Sequence, residues 1–437
     1  MKLNNITVKI KKHAKIIFFM IMLFMLLCLW SNFKEYDRWG DEIMRYQIPK
    51  FIFENNRLPT LFDSSIYDEL YGFSYAAQPN LPYIIAAIFM KAAYFFGVGE
   101  NNLLLVARFV NILYGLLFAF FTIKIANELF TNKYIKIIFI SIVVLWPELL
   151  YMFIYVNTDA MALLGISIVT LYLIRGVKNG WIFKNCLCLA IGNVLIILSY
   201  QNAYGMVLIS AFIFIASYFQ NKITKLEFIE MIKKGLLIMF SVGLCTLWFY
   251  IRNIILYGSL TGSNITNALS LKYGSPNMNI AFRAHSAMDK MSSLSGIKNW
   301  FSQSLTTFFA WGWYDAFKFN YPHIIYQLIK VSIVLIGVIA LIKIITTWKN
   351  FCFKKKIVII GMTIAGLINF GLSFYFSAFC DYVPIGRYWM PSIIIFGMMM
   401  TYGIRTIINR LKLSPKIVCI ILSSLLITAD ISVIIFR

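Results

Sequence analysis

The sequence is dominated by apolar runs long enough to cross a membrane, which recur from residues 16–32 to residues 417–436. A helix of about 20 apolar residues spans the ~30 Å hydrocarbon core of a bilayer, and within that core the backbone has to satisfy its own hydrogen bonds. Only 13% of the residues are charged, and soluble domains carry roughly twice that share. The sequence therefore predicts an all-α fold, a polytopic transmembrane helix bundle.

Counting these runs predicts about eleven spans of membrane length. They lie at residues 16–32, 103–124, 134–152, 158–174, 185–200, 203–219, 235–252, 323–345, 357–378, 388–406 and 417–436. The first run follows a basic stretch, as a signal peptide would. No small-residue cleavage site follows it, so we expect a retained helix.

The formal net charge of +22 is distributed unevenly between the two predicted faces. Alternating the spans places 24 of the 40 basic residues and three of the 18 acidic residues on one face. The positive-inside rule makes that face, with the N-terminus, cytoplasmic. The basic excess is therefore a topology signal, and we expect the lipid bilayer rather than nucleic acid as the partner.

Two predicted outer segments, 33–102 and 253–322, are much longer than the other connections. Long ordered loops commonly carry function. In the first, residues 43–53 alternate apolar and charged side chains, and residues 81–97 form an apolar run that Lys91 interrupts. Both patterns predict interfacial or re-entrant helices. We divide the chain into a catalytic membrane module, the second outer segment as its cap, and C-terminal spans, at 1–252, 253–322 and 323–437.

Three carboxylates lie at the predicted outer boundary of the membrane. Asp41 and Glu42 follow the first span, and Asp159 opens the fourth. Adjacent acids in a loop are often only a solvated surface. A carboxylate at a helix N-terminus is favoured by the helix dipole and can simply be a cap. As an ionisable group at the membrane boundary, Asp159 is equally a candidate site residue.

Three arginines lie at the same predicted boundary. Arg108 falls inside the apolar run 103–121, where a charge costs at least ~2.5 kcal/mol at mid-membrane and so calls for a partner. Arg252 closes the seventh span and Arg387 opens the tenth; both could simply snorkel to the interface. Together, the arginines and carboxylates suit a site that binds an anionic lipid headgroup beside a carboxylate base. The His and Cys residues are scattered, so we predict no metal-ligand cluster and no bound cofactor, although a divalent metal ion remains compatible with the sequence.

The order of short motifs resembles that of the GT-C class of integral membrane glycosyltransferases, especially the protein O-mannosyltransferase and aminoarabinose-transferase group. After the outer Asp41-Glu42 come Gln78-Pro-Asn-Leu-Pro82-Tyr83, Arg108-Phe-Val-Asn111, Pro147 with Asn157-Thr-Asp159, Trp248 to Gly258, and Gly386 to Pro391. The resemblance covers residues 30–260, with a further match near 386–391. The sequence departs from the family pattern at Gln78 and at Asn80, which replaces the second proline of a doublet.

The resemblance implies transfer of a sugar from a polyprenyl-phosphate carrier to an acceptor outside the cytoplasmic membrane of a bacterium, with inversion. Asp41 would be the general base, with Glu42 as the alternative, and Asp159 would hold the acceptor or orient an arginine. The donor phosphate would be bound by cations, for which the chain offers Arg108, Arg252, Arg387 and Lys91. The acceptor would be a cell-envelope glycan, a lipid or a protein.

Two other functions remain open from the sequence. A polysaccharide polymerase or ligase also carries outer arginines, but it usually lacks an Asp-Glu pair after its first span. A flippase or transporter of lipid-linked sugars typically shows internal repeats and helices broken near the midplane. We find no internal repeat in this sequence, and its acids collect at one face.

Overall fold

The computed structural model describes residues 2–37, 41–220, 222–314 and 323–435, and side chains over 14–37, 41–220, 222–309 and 327–431. The described ranges hold helices and no strand, which confirms the all-α prediction. The α-helices are α1 (Lys2–Phe33), α2 (Glu42–Asn55), α3 (Leu81–Phe95), α4 (Leu103–Leu129), α5 (Lys133–Val144), α6 (Pro147–Met152), α7 (Asp159–Asn179), α8 (Phe183–Ile197), α9 (Tyr204–Ala216), α10 (Lys225–Tyr257), α11 (Ser263–Tyr273), α12 (Ile280–Met291), α13 (Leu294–Tyr314), α14 (His323–Thr347), α15 (Phe353–Phe379), α16 (Ile393–Arg410) and α17 (Pro415–Ile435).

Seven helical segments in the described ranges are long and apolar enough to cross a membrane. They are Ala14–Phe33, Glu100–Leu129, Asp159–Asn179, Lys225–Tyr257, Gln327–Asn350, Phe353–Phe379 and Gly386–Arg410. Shorter apolar helices occupy Leu81–Phe95, Phe183–Ile197 and Gln201–Ala216. The chain is therefore a multi-pass membrane protein, as predicted. The count of about eleven spans stays a prediction.

The run 134–152 does not form one helix, as the apolar pattern predicts, but two. Helix α5 ends at Val144 and α6 begins at Pro147. Proline lacks the N–H that a continuing helix needs and disfavours helical geometry in the residue before it. Trp146 is accordingly extended, with φ −81° and ψ 119°. The break redirects the chain into the turn 153–158, which precedes α7.

Helix α7 forms the centre of the bundle and is almost completely buried. It packs against α4, α8 and α9. Its backbone approaches α8 closely, because a Cβ added at Gly165 would lie 2.8 Å from the carbonyl oxygen of Gly192. Such close packing holds the N-terminal end of α7, where Asp159 lies, in a fixed position.

The two long outer segments contact each other. The first contains α2 and α3, at the positions predicted for interfacial helices, and the second contains α11, α12 and α13. The side-chain amide of Asn253 donates to the carbonyl oxygen of Ala77 at 3.0 Å. The backbone N–H of Ser275 donates to the carbonyl oxygen of Leu70 at 2.9 Å. The segments thus form one layer over the bundle. The predicted boundary at 322 lies outside the described residues, and the division into three parts stays a prediction.

Candidate active site

A polar cavity of about 340 Å³ lies where the outer segments meet the bundle. Its walls come from α2, residues 73–79, the connection between α8 and α9, α12, and the segment between α15 and α16. The charged residues that line it are Asp41, Arg45, Arg283, Asp381 and Arg387. A larger cavity of about 550 Å³ between α8, α9 and α10 has no charged lining residue. Of these two cavities, the polar one is therefore the better candidate for chemistry that involves charge.

Asp41 is the predicted site residue that opens into this cavity from α2. It is the residue that precedes α2, and its φ of 61° places it in the left-handed region, which is uncommon for a residue other than glycine. Its carboxylate does not cap the helix. Instead it accepts a hydrogen bond of 3.1 Å from the hydroxyl of Tyr75, and a third of the side chain stays exposed. A strained backbone that aims a carboxylate into a cavity is typical of a functional position.

Asp159, the first residue of α7, lies between two arginines. Its Oδ2 is 3.9 Å from Nη1 of Arg45 and 3.8 Å from Nη2 of Arg387. The side chain is 1% exposed, and neither carboxylate oxygen accepts a hydrogen bond from the described residues. The helix N-terminus favours its negative charge. Asp159 is thus a buried counter-ion of two guanidinium groups, and it does not line the cavity itself.

Arg387 reaches the cavity from the short 3-10 segment Gly386–Ser392, which leads into α16. Its Nη1 donates to the hydroxyl of Tyr155 at 2.9 Å. The segment is held against α13, because the N–H of Gly386 donates to Oγ1 of Thr307 at 2.8 Å. A Cβ at Gly386 would lie 2.1 Å from the backbone nitrogen of Phe308, so only glycine fits there. The predicted Gly-Arg motif therefore places the arginine through this contact.

Arg45 is a central site residue that the sequence analysis missed. Its Nη2 lies 3.8 Å from Oδ2 of Asp41, its Nη1 donates to Oγ1 of Thr158 at 3.1 Å, and its guanidinium stacks on the ring of Tyr75. Burial opposes its charge, but Tyr83, Asp159 and Asp41 outweigh that effect and raise the pKa of Arg45. It therefore remains a cation. Its position in the predicted interfacial helix 43–53, four residues after Asp41, was a signal for this contact.

Glu42 and Arg108 form a buried pair beside the cavity. Oε1 of Glu42 accepts from Nε of Arg108 at 2.8 Å, and Oε2 accepts from Nη2 at 2.7 Å. Arg108 also donates to the carbonyl oxygens of Ser31, Lys34 and Glu35. The pair thus joins the end of α1, the start of α2 and the first turns of α4.

Helices α2 and α4 also stabilise the turn that precedes Asp159. Oε1 of Glu42 also accepts from the N–H of Val156 at 3.0 Å. Asn111, one turn after Arg108 on α4, donates to the carbonyl oxygens of Tyr155 and Asn157. In turn, Oδ1 of Asn157 accepts from the N–H of Ala160 at 2.9 Å. The motifs around residues 108–111 and 157–159 therefore form one scaffold.

The structure places two further predicted phosphate ligands away from the cavity. Arg252 donates to the carbonyl oxygen of Pro59 and so ties α10 to the first outer segment. Lys91 donates to the side chain of Asn56 at the exposed edge of α3. Neither residue lines the cavity.

A second ion pair missed by the sequence analysis closes one side of the cavity. Arg283 of α12 pairs with Asp381, which follows α15, and its guanidinium lies 4.7 Å from the ring centre of Tyr71. The pair joins both outer segments to the C-terminal helices. The sequence offered little signal for it, because the partners are 98 residues apart.

No group of three or more His, Cys, Asp or Glu side chains in the described part of the chain is arranged to hold a metal ion. Of the three histidines, His285 is exposed, lies 3.5 Å from Asp289 and does not line the cavity; the side chains of His13 and His323 are outside the described residues. The chemistry available in the cavity comes from carboxylates, guanidinium groups, phenols and amides.

No protein-family profile and no curated protein sequence matches this chain. Solved structures do. The archaeal oligosaccharyltransferase AglB from Archaeoglobus fulgidus, in complex with an inhibitory peptide and a dolichol-phosphate, is similar with a TM-score of 0.51 at 13% identity, over 95% of this chain and 55% of that chain. A crystal structure of the A. fulgidus oligosaccharyltransferase in the apo form gives a TM-score of 0.52 at 12% identity, with the same coverage.

ArnT from Cupriavidus metallidurans in the apo state is a further match, with a TM-score of 0.48 at 13% identity, over 90% of this chain and 60% of that chain. The chain thus spans between 55% and 60% of the length of these proteins. The likeness to the oligosaccharyltransferase confirms the predicted resemblance at the level of the fold: the chain has the fold of the GT-C class of integral membrane glycosyltransferases.

Proposed function

We propose that this chain is a glycosyltransferase that moves a sugar from a polyprenyl-phosphate-linked donor to an acceptor on the outer face of the cytoplasmic membrane. The observation that carries the proposal is the cavity in which an accessible carboxylate, Asp41, faces two guanidinium groups, those of Arg45 and Arg387. Transfer from a phosphate-linked sugar requires a base for the acceptor and cations for the departing phosphate. The positive-inside distribution of charge supports an outer location for this cavity.

The fold supports the same reaction class. The oligosaccharyltransferase with this fold was solved with a dolichol-phosphate, which is a polyprenol-type lipid phosphate. The acceptor of the present chain would be a cell-envelope glycan, a lipid or a protein.

In the proposed reaction, Asp41 accepts the proton of the acceptor hydroxyl while the acceptor oxygen forms a bond to the anomeric carbon. The bond between that carbon and the phosphate oxygen breaks on the opposite face of the sugar, and the electron pair leaves with the lipid phosphate. This displacement inverts the anomeric configuration. Arg387 would stabilise the charge that develops on the phosphate, and Asp159 would hold Arg387 in place through their 3.8 Å ion pair.

Of the two adjacent acids, we propose Asp41 as the base. Glu42 is fully buried and gives both carboxylate oxygens to Arg108, so its lone pairs are engaged. Within the described part of the chain, Asp41 accepts one side-chain hydrogen bond, from Tyr75 at Oδ2, and it lines the cavity. We do not extend the phosphate-binding role to Arg108, whose donors contact Glu42 and carbonyl oxygens of the α1 end.

The test is transfer of label from a radiolabelled polyprenyl-phosphate sugar to membrane-extract acceptors in proteoliposomes. Wild type is expected to form a labelled product, and Asp41→Asn, which keeps the shape of the side chain, is expected to lose at least about 100-fold in rate. The matched control is Glu54→Gln in α2, the helix that Asp41 precedes. The carboxylate of Glu54 is half exposed and pairs with Lys50, so this variant should behave as wild type. Movement of labelled lipid across the bilayer without transfer would instead identify a flippase.

A further inference from the structure

We infer that the bundle binds a phospholipid with an anionic headgroup at the end that the positive-inside rule assigns to the cytoplasm. The site consists of two adjoining cavities, a polar one of about 540 Å³ and the apolar one of about 550 Å³ between α8, α9 and α10. The headgroup occupies the polar cavity and an acyl chain occupies the apolar one. This site goes beyond the proposed transfer reaction and does not depend on it.

The polar cavity lies at the opposite end of α8 and α9 from the candidate active site. Its walls are the end of α7, the connection between α7 and α8, the connection between α9 and α10, the first turns of α10 and the start of α15. The candidate active site takes its wall from the connection between α8 and α9 instead. Helix α8 has 15 residues and rises ~1.5 Å per residue, so it separates the two sites by about 22 Å. The polar cavity is therefore a second site.

The charged groups of the polar cavity leave two cations unpaired within the described ranges. Glu227 caps the start of α10, and Glu230 pairs with Lys234 one turn later, so both acids of the cavity already have partners. Lys222 and Lys354 also line the cavity and are exposed, and neither forms an ion pair with another described residue. A basic pocket at the cytoplasmic end of membrane helices suits an anionic lipid headgroup.

A phenol at the wall of the polar cavity adds a hydrogen-bond donor. The hydroxyl of Tyr218 is buried and has no partner among the described residues, which is unfavourable for a polar group. The neighbouring Ser217, by contrast, accepts from Nε1 of Trp181 at 2.8 Å and donates to the carbonyl oxygen of Phe214 at 2.7 Å. A phosphate or ester oxygen of a lipid would provide the acceptor that Tyr218 lacks.

The polar cavity and the apolar cavity meet along α9 and α10. Phe214 lines the apolar cavity and Tyr218, four residues later, lines the polar one; their ring centres are 5.6 Å apart. On α10, Glu230 lines the polar cavity and the next residue, Met231, lines the apolar one. The lining thus changes from charged to apolar in one direction, as the headgroup and the acyl chain of a phospholipid do.

The apolar cavity opens on the surface of the bundle, where a lipid chain can enter from the side. Ile232, Leu236 and Met239 line it and are exposed. Its lining on α10 runs from Met231 to Gly243, about 18 Å at the helical rise of ~1.5 Å per residue. This length is close to half of the ~30 Å hydrocarbon core, the depth of one leaflet. A single acyl chain therefore fits the apolar cavity lengthwise.

The polyprenyl chain of the proposed donor is a poorer occupant of this cavity. Its phosphate would lie in the candidate active site, whereas the unpaired lysines beside the apolar cavity lie at the other end of α8 and α9. A helix from a partner or a second copy of the chain would cover the apolar cavity and leave the lysine charges unexplained. A phospholipid accounts for both features, and its chain would stabilise α10, whose apolar part is only 11% buried.

The experiment measures lipid retention by native mass spectrometry of the full chain, after equilibration in detergent with equal amounts of phosphatidylglycerol and phosphatidylcholine that carry identical acyl chains. Wild type should retain one phosphatidylglycerol in preference to phosphatidylcholine. The double variant Lys222→Gln/Lys354→Gln should lower that preference at least about tenfold, because each lysine near an anionic lipid contributes to binding. The matched control Lys349→Gln/Lys416→Gln removes the same charge at two exposed lysines outside the cavity, and it should keep the preference of wild type.

The acyl-chain part of the site is tested by Gly243→Leu. A Cβ at Gly243 would lie 3.6 Å from Cδ1 of Leu247, an ordinary contact, so the leucine is accommodated and its side chain takes up part of the apolar cavity. Retention of both lipids should fall about tenfold, the effect of displacing about two methylene groups from apolar surroundings. The matched control is Gly371→Leu on α15, where a Cβ meets nothing within 4 Å; it should retain lipid as wild type does.

Three results would each overturn the inference: equal retention of the two lipids by wild type, a wild-type preference in Lys222→Gln/Lys354→Gln, or equal retention by Gly243→Leu and Gly371→Leu. Displacement of the bound phosphatidylglycerol by an equimolar polyprenyl phosphate would also overturn it, because the cavity would then belong to the donor chain. A dimer that excludes lipid would assign the surface to a second copy instead. None of these measurements uses transfer activity, so failure of the proposed function would leave them unchanged.

Discussion

Replacing Glu42 by glutamine would leave Arg108 buried without its counter-charge. In the native chain the two side chains are 0% and 2% exposed and meet at 2.7 Å. Arg108 would keep its hydrogen bonds to the carbonyl oxygens of the α1 end, but the amide offers one acceptor in place of a carboxylate. We therefore expect Glu42→Gln to destabilise the junction of α1, α2 and α4.

The size of the effect follows from the geometry. Two unit charges about 4 Å apart attract with about 4 kcal/mol at an effective dielectric constant near 20, and breaking a buried pair on one side typically costs about 3–5 kcal/mol. Each kcal/mol of lost stability lowers the midpoint of thermal unfolding by about 2–4 °C in chains of 150–250 residues, and by less in longer chains. For Glu42→Gln we expect a decrease of about 5 °C.

The assay is the apparent Tm of purified protein in one detergent at a fixed scan rate, because unfolding of membrane proteins is commonly irreversible. The comparison variant is the adjacent Asp41→Asn. Asp41 is one-third exposed and has a left-handed backbone that asparagine tolerates, so its Tm should stay within about 2 °C of wild type. Equal Tm values for Glu42→Gln and Asp41→Asn would refute the structural role of Glu42. Adding Arg108→Met to Glu42→Gln should restore part of the loss, because no unpaired charge is then buried.

Two further predictions address the outer layer. Gly386→Ala would bring a Cβ to 2.1 Å from the backbone nitrogen of Phe308; we expect it to displace the Arg387 segment and abolish transfer, while Gly371→Ala, whose Cβ meets nothing within 4 Å, keeps wild-type activity. The hydrogen bond from Arg57 lowers the pKa of Asp63 to about 2 from its ordinary 3.8, so the ionised carboxylate stabilises the folded chain above about pH 4 and the stabilisation is lost as the pH falls toward 2. The fall in apparent Tm between pH 6 and pH 3 should be smaller in Asp63→Asn than in wild type.

Much of the fold could be predicted because hydrocarbon imposes strict rules on sequence. The long apolar runs do form helices, and the alternating and interrupted patterns of the first outer segment form α2 and α3. The hydropathy pattern does not predict the residue at which a helix begins or ends. Helix α10 begins at Lys225 with a capping box from Thr224 and Glu227, ten residues before the predicted span, because a helix can continue in water beyond the apolar part that the pattern detects.

The sequence predicted which types of residue form the candidate site more reliably than it predicted the role of each residue. An arginine in an apolar run needs a partner, and the sequence does not tell whether that partner is a ligand or the protein. The structure gives Arg108 a protein partner and places Arg387 on the cavity wall. Arg45 escaped notice because an arginine on a short amphipathic helix is typical of a solvated surface. It is buried here, and it meets Tyr83 of α3 and Asp159 of α7, which the local sequence pattern does not reveal.

The motif order itself has a physical explanation. Arg108 and Asn111 lie one turn apart on α4, and both stabilise the turn that precedes Asp159. Arg108 acts through Glu42, and Asn111 contacts the turn directly. These residues belong to the same series of motifs as the residues of the site, yet they contact helix ends and backbone groups and do not line the cavity. Substitutions in this scaffold should lower stability and activity together, because the position of Asp159 depends on it. Substitutions at the cavity wall should lower activity alone. Measuring both quantities for each variant therefore separates the residues that build the site from those that act on substrate, a distinction that motif spacing does not make.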